Sequence, residues 1–108
     1  MSGILVTGGA GMVGRALADV FPSDATLFTD LARGTLPQTA RFERMDVTGA
    51  DPATIIAREQ PTVVVHLASI VTPPPGMTRS AAHAVDVIGT RNVLQACVEA
   101  GVKRLVVT

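Results

Sequence analysis

Tyrosine and tryptophan are both absent from this 108-residue chain, and phenylalanine occurs only three times. A reaction that needs a phenol as proton donor or acceptor has no group for it here. Cysteine occurs once, as Cys97, so no internal disulfide can form and a reducing, cytoplasmic setting is expected. Long hydrophobic runs are missing as well: nothing approaches the ~18 apolar residues that a spanning helix needs. The first residues carry no basic leader followed by an apolar segment, so no signal peptide is expected. Nine basic and nine acidic residues cancel. That balance leaves no basic patch for nucleic acid and no cationic amphipathic run for a membrane surface. His, Cys and carboxylates never fall at metal-ligand spacing, so no metal site is expected. An anion bound by such a chain has to be held by local backbone dipoles.

What is present is apolar. Hydrophobic residues make up 47% and charged residues 17%, a balance that favours one folded domain over residues 1–108 and argues against disorder. A chain of this size can bury roughly 60–70% of its extended surface, enough for one core.

The organising stretch runs from Gly3 to Gly14. Ile4-Leu5-Val6 reads as a strand buried on both faces. Glycines follow, and then Met12, Val13, Ala16, Leu17, Val20 and Phe21 recur at three- and four-residue steps, the apolar face of a helix. A strand, a glycine turn and a helix in that order suit a dinucleotide diphosphate, because a helix start presents free N–H groups and partial positive charge. The glycines are Gly8, Gly11 and Gly14, spaced G-x-x-G-x-x-G, with the backbone N–H groups of Met12 and Val13 as the expected donors. An acidic residue roughly 20 positions on, at the end of a second strand, completes such a fingerprint. Asp30 stands there, closing Thr26-Leu27-Phe28-Thr29.

Further along, Pro22-Ser23-Asp24 reads as a turn, residues 25–29 as strand two, and the aperiodic stretch 32–38 as a loop. Residues 40–45 alternate as a half-buried or edge strand that ends at Asp46-Val47. Asp51-Pro52 opens a helix, with Asp51 suited to accept from the free N–H groups at the cap; Ile55 and Ile56 face its core and Pro61 ends it. Thr62-Val63-Val64-Val65-His66 is the strongest strand and a central one. Residues 72–76, with three consecutive prolines, form a non-helical loop. A long helix then runs from Thr78 or Ser80 to Ala100, with Val85, Ile88, Leu94, Cys97 and Val98 on its apolar side and Gly101 as its stop. Residues 105–108 begin a fifth strand. Right-handed crossovers then predict an α/β, Rossmann-type doubly wound parallel sheet of order 3-2-1-4-5, breaking off after strand five, with a ligand crevice beyond the carboxyl ends of strands one and four.

Together these residues resemble the NAD-dependent epimerase/dehydratase family, the extended branch of the short-chain dehydrogenase/reductase superfamily. Thr7-Gly8-Gly9-Ala10-Gly11-Met12-Val13-Gly14 is similar to its T-G-x-x-G-x-x-G. Asp46-Val47 resembles its pair beside the adenine, and His66-Leu67-Ala68-Ser69 its H-x-A-[AS]. Val87-Ile88-Gly89-Thr90-Arg91-Asn92-Val93-Leu94 resembles its V-x-G-T-x-N-V-L, and Gly101-Val102-Lys103-Arg104-Leu105-Val106 its lead into strand five. Two departures stand out. Asp86 occupies a position where the family usually has Asn, and a carboxylate facing the cofactor phosphates would disfavour them. The family's Ser/Thr and Tyr-x-x-x-Lys, and its substrate half, lie beyond Thr108, so the resemblance implies the cofactor-binding part of an oxidoreductase without turnover of its own.

The cofactor this implies is NAD. Asp30 is placed for the adenosine ribose hydroxyls and would repel the 2′-phosphate of NADP, although Arg33, three residues on, could fold back onto such a phosphate. Asp46 and Val47 are expected beside the adenine, Leu67 and Ala68 along the nicotinamide end, and Ser69 against cofactor or substrate. His66 reads as a packed residue with one satisfied nitrogen rather than an acid or base, and Cys97 as helix core. The full-length parent is expected to act on a sugar nucleotide or a similar alcohol or ketone. Alternatives are a hydroxysteroid-type dehydrogenase of the same branch and a non-catalytic dinucleotide sensor. An unpaired sheet edge leads to the expectation of a homo-oligomer.

Overall fold

The computed structural model describes residues 3–70 and 73–108. Five parallel strands form one sheet in the order β3-β2-β1-β4-β5. They are β1 (Ile4–Thr7), β2 (Thr26–Asp30), β3 (Arg41–Arg44), β4 (Val63–His66) and β5 (Arg104–Val107). Helix α1 (Met12–Ala18) connects β1 to β2, and α2 (Asp51–Glu59) connects β3 to β4. One helical run connects β4 to β5: α3 (Arg79–His83), a π-helical stretch (Ala84–Gly89) and α4 (Thr90–Ala100). The doubly wound topology is the one expected. No helix among the described residues is long and apolar enough to cross a membrane.

Strand alternation builds two cores. Leu5 pairs with Leu27 and Val64 and faces one side, while Val6 pairs with Phe28 and Val65 and faces the other. The first side packs with Ile55 and Ile56 of α2 and with Val93, Ala96 and Cys97 of α4. The second packs with Leu36 and Ala40 of the loop before β3, and with Leu17 and Phe21. Each fully buried aliphatic or aromatic side chain contributes roughly 1.5–3 kcal/mol, so these two layers supply most of the driving force. β3 is the edge strand anticipated from its alternation, and charged residues hold three of its four positions. Arg41 pairs with Glu59 at 3.2 Å, and Arg58 of α2 pairs with Glu43 and Glu59.

Four local expectations are corrected. Met12, Val13 and Val20 are exposed, and only Leu17 and Phe21 of the anticipated α1 face reach the core. The helix is short and pressed onto the glycine turn, where a Cβ on Gly14 would collide with Gly9 carbonyl and backbone atoms. Asp51 does not cap α2. Ala50 is the cap residue, and Asp51 Oδ2 instead accepts from the Asp46 N–H at 2.9 Å, tying the start of α2 to the end of β3. The long helix is not uniformly α-helical. Its π-helical stretch rotates the apolar side, so Ile88, Leu94 and Val98 are exposed while Gly89, Val93, Ala96 and Cys97 are buried. Cys97 is therefore core as expected, and burial pushes its thiol up to about 11.

The fourth correction concerns His66, both of whose ring nitrogens are bonded. Nδ1 lies 2.6 Å from Thr7 Oγ1, and Nε2 lies 2.8 Å from Thr90 Oγ1. Thr7 Oγ1 also accepts from the N–H groups of Leu67 at 3.1 Å and Ala68 at 3.3 Å. With its lone pairs so used, the Thr7 hydroxyl donates to Nδ1. Nε2 then carries the ring proton and donates to Thr90. The imidazole is neutral, and burial holds it below its usual pKa. A protonated ring would aim a second donor at an oxygen with no lone pair left for it.

Two outcomes follow from this packing. A Cβ on Gly89 would stand 2.5 Å from Val47 Cγ2, so Gly89→Ala is expected to cost about 1–3 kcal/mol in urea unfolding, with much of it recovered in Gly89→Ala/Val47→Ala. Because the native state favours neutral His66, that contribution is complete above the ordinary histidine pKa of 6.5 and is lost as pH falls through the lowered native value. The urea midpoint of the wild type should therefore decline between pH 7 and 5. His66→Gln should flatten that decline, leaving the fall at lower pH that comes from Asp46 and Glu43, whose carboxyls hydrogen bonds hold low.

Candidate functional site

A crevice of about 230 Å³ opens at the carboxyl edge of the sheet. It is lined from β1 by Thr7 and Gly8, from β2 by Thr29 and Asp30, and from the end of β3 by Met45, Asp46 and Val47. Leu67, Ala68, Ser69 and Ile70 line it beyond β4, Met77 comes from the loop before α3, and Val85 from the π-helical stretch.

The glycine turn begins at Gly8, whose φ of +65 suits a residue without a side chain. A Cβ there would also stand 2.6 Å from the Ala68 nitrogen, so β1 and β4 leave their ends in near backbone contact. The turn is pinned to β2 by two bonds: Gly9 N–H donates to the Thr29 carbonyl at 2.9 Å, and Ala10 N–H donates to Asp30 Oδ2 at 3.0 Å. Gly11 is the residue before α1, extended at φ −76 and ψ −175, and no side chain caps the helix. The first-turn N–H groups of α1 have no earlier helical carbonyl to reach.

Gly11 differs from its two partners. Gly8 and Gly14 have no room for a Cβ because the protein's own backbone fills the space. A Cβ on Gly11 would meet only the Gly8 carbonyl, at an ordinary 3.4 Å. The fold itself tolerates a side chain there.

Asp30 ends β2 with both carboxylate oxygens engaged, Oδ2 by Ala10 and Oδ1 by the Leu31 N–H at 2.7 Å. Each oxygen keeps a further lone pair for another donor. Arg33 does not fold toward Asp30. Its guanidinium donates to the carbonyls of Pro37 at 2.8 Å and Ala40 at 3.2 Å, and lies 5.5 Å from the centre of the Phe42 ring. Asp46 Oδ1 accepts from Thr48 N–H at 2.9 Å and Thr48 Oγ1 at 2.7 Å, and these two bonds lower its pKa. Val47 is buried, and Asn92 Nδ2 donates to its carbonyl at 2.9 Å. On the far wall, Asp86 Oδ1 accepts from Ser69 Oγ at 3.0 Å and from Ile70 N–H at 2.8 Å.

Of the residues singled out from sequence, Gly8, Gly11, Asp30, Asp46, Val47, Leu67, Ala68 and Ser69 line this one crevice. Met12, Val13 and Gly14 do not: the Met12 and Val13 side chains face solvent, and Gly14 is buried against the turn. The crevice adds Thr7, Thr29, Leu31, Met45, Ile70, Met77 and Val85. Leu31, Met45 and Ile70 adjoin residues already marked and follow from strand-end position. Met77 and Val85 depend on the path of the loop and the π-helical register, which no local pattern announces. No basic side chain lines the crevice, and no cluster of metal-ligating residues occurs among the described residues.

Comparison with known proteins agrees with this architecture. No curated protein sequence matches the chain. The structure of the Bordetella bronchiseptica enzyme WbmG in complex with NAD superposes with a TM-score of 0.82 at 32% identity, covering 99% of this chain and 36% of that one. UDP-glucose 4-epimerase from Thermotoga maritima, solved with UDP-glucose, gives a TM-score of 0.83 at 25% identity, over 99% of this chain and 37% of that one. The GalE-like L-threonine dehydrogenase from Cupriavidus necator, at 22% identity and a TM-score of 0.81, shares the fold over 95% of this chain and 35% of its own. The chain thus spans roughly a third of the length of these solved relatives. The sequence model of the NAD dependent epimerase/dehydratase family matches residues 4–108, and the chain belongs to that family.

Proposed function

We propose that the crevice binds NAD, and that this chain is the cofactor-holding part of an oxidoreductase acting on a sugar nucleotide or a similar alcohol or ketone. The observation that carries the reading is Gly11. The fold leaves room for a side chain at that position, so a glycine at this turn fits a ligand that approaches the backbone there. The neighbouring N–H groups of Met12 and Val13 then meet the diphosphate, an anion that a crevice without basic side chains holds through the backbone.

The other residues take roles by position. Val47 offers an apolar face to the adenine with Asp46 beside it, and Asp30 has lone pairs free for the ribose hydroxyls. Leu67 and Ala68 carry the nicotinamide end over a floor that Thr7 and His66 hold in place, with Ser69 at its wall. When bound, NAD supplies the hydride acceptor, and the protein orients it and keeps water off the ring. The chain holds no tyrosine, so the proton transfer that completes such a reaction lies outside its residues, and the 108 residues alone are expected to bind without turnover. WbmG was solved with NAD and UDP, and the Thermotoga enzyme with UDP-glucose, which supports a nucleotide-sugar substrate for the longer parent.

NAD is favoured over NADP on two grounds. Asp30 places negative charge where a 2′-phosphate would stand, and Arg33, the nearest cation in sequence, is committed to Pro37, Ala40 and Phe42. The single cysteine, Cys97, fits a reducing, cytoplasmic setting.

Calorimetric titration tests this directly. NAD should bind at least tenfold more tightly than NADP, and Asp30→Ala should shrink that ratio; NADP binding as tightly as NAD overturns the assignment of Asp30. Gly11→Val should remove NAD binding while costing about 1 kcal/mol of stability, the scale of an altered cap. Retained affinity in that variant places the diphosphate elsewhere.

A further inference from the structure

We infer that Asp86 makes the crevice prefer the oxidised, positively charged nicotinamide over the reduced, neutral one. The inference rests on the proposed reading of the crevice as an NAD site, and it adds a redox preference to that reading.

Asp86 sits in the π-helical stretch, next to the crevice-lining Val85. A single carboxylate oxygen clasps the loop beyond β4 through the Ser69 hydroxyl and the Ile70 N–H. Both of those residues line the crevice. The clasp ties the carboxylate to the part of the lining proposed for the nicotinamide.

The charge is also unbalanced. Asp86 makes no ion pair among the described residues, and no lysine or arginine lines the crevice. The crevice lining at that end is largely apolar, with Leu67, Ala68, Ile70 and Met77 on it. Low polarity strengthens and lengthens the reach of a fixed charge. The oxidised and reduced dinucleotides share every other charge and differ by one unit on the ring, so a fixed carboxylate acts on the difference between them. In a partly solvated site, one nearby unit charge acting on that difference amounts to about three- to tenfold in relative affinity. By linkage, tighter binding of the oxidised form makes the bound reduced form the stronger hydride donor.

Asn in place of Asp separates the two things Asp86 does. Asp86→Asn keeps a carbonyl oxygen to accept from Ser69 and Ile70 but removes the charge, whereas Asp86→Ala removes both. The test is titration of the full chain with the oxidised and the reduced dinucleotide at low salt, by calorimetry and by the fluorescence of the reduced form. Asp86→Asn should weaken oxidised NAD by about three- to tenfold and leave the reduced form within about twofold of wild type, the effect shrinking at high salt. Asp86→Ala should weaken both. Equal changes for both dinucleotides in Asp86→Asn, or none, overturn the inference while the NAD site stands. Failure of the wild type to bind either dinucleotide overturns the site and this inference together.

Discussion

The hydroxyl of Thr7 is the point through which the rest of the structure is connected. It accepts from the N–H groups of Leu67 and Ala68 and donates to His66, which donates in turn to Thr90. One side chain at the tip of β1 thus sets the floor of the crevice and the start of α4. The connection continues: Gly89, the residue before Thr90, lets the helix press on Val47, and Asn92 one turn later holds the Val47 carbonyl. The floor of the crevice and its Val47 wall are placed by a single chain of contacts. A valine would match Thr7 in shape, but it would leave the Ala68 N–H and the imidazole Nδ1 without partners, a cost of roughly 1–3 kcal/mol for each, while the Leu67 N–H keeps the backbone carbonyl of that residue at 3.1 Å.

Among the described residues, no cationic side chain lines the crevice. The carboxylates in and behind its walls accept hydrogen bonds from backbone or hydroxyl donors: Asp30 from Ala10 and Leu31, Asp46 from Thr48, Asp86 from Ser69 and Ile70. Those bonds orient the groups before any ligand arrives. They also mean that acidic side chains near a dinucleotide do not have to be read as repulsion, since what counts is which part of the ligand each one faces.

The topology, the glycine turn and Asp30 were legible because each depends on residues close together in sequence. A β-branched run, a glycine spacing and a strand-end acid are local signals with local causes. The faces of the helices were less legible. Leu94 and Val98 keep perfect helical spacing with Cys97 nearby, yet the π-helical stretch turns them outward and brings Val93 and Ala96 in. Met12 and Val13 are likewise exposed, since α1 meets the glycine turn through Gly14 and the core through Leu17. Asp51 and His66 illustrate a second limit. Their partners, Asp46 and Thr90, were chosen by tertiary packing, and a pattern of cap residues or a lone histidine carries no sign of it.

The two margins of the sheet are unlike. Along β3, arginine, glutamate and arginine alternate with one phenylalanine, and α2 supplies counter-charges to them. A foreign strand docking there would have to strip water from these ions before gaining any ladder bond. The opposite margin is β5, where Leu105, Val106 and Val107 stand in a row and the latter two are 42% and 51% exposed. Charge thus marks one margin of these five strands and apolar side chains the other.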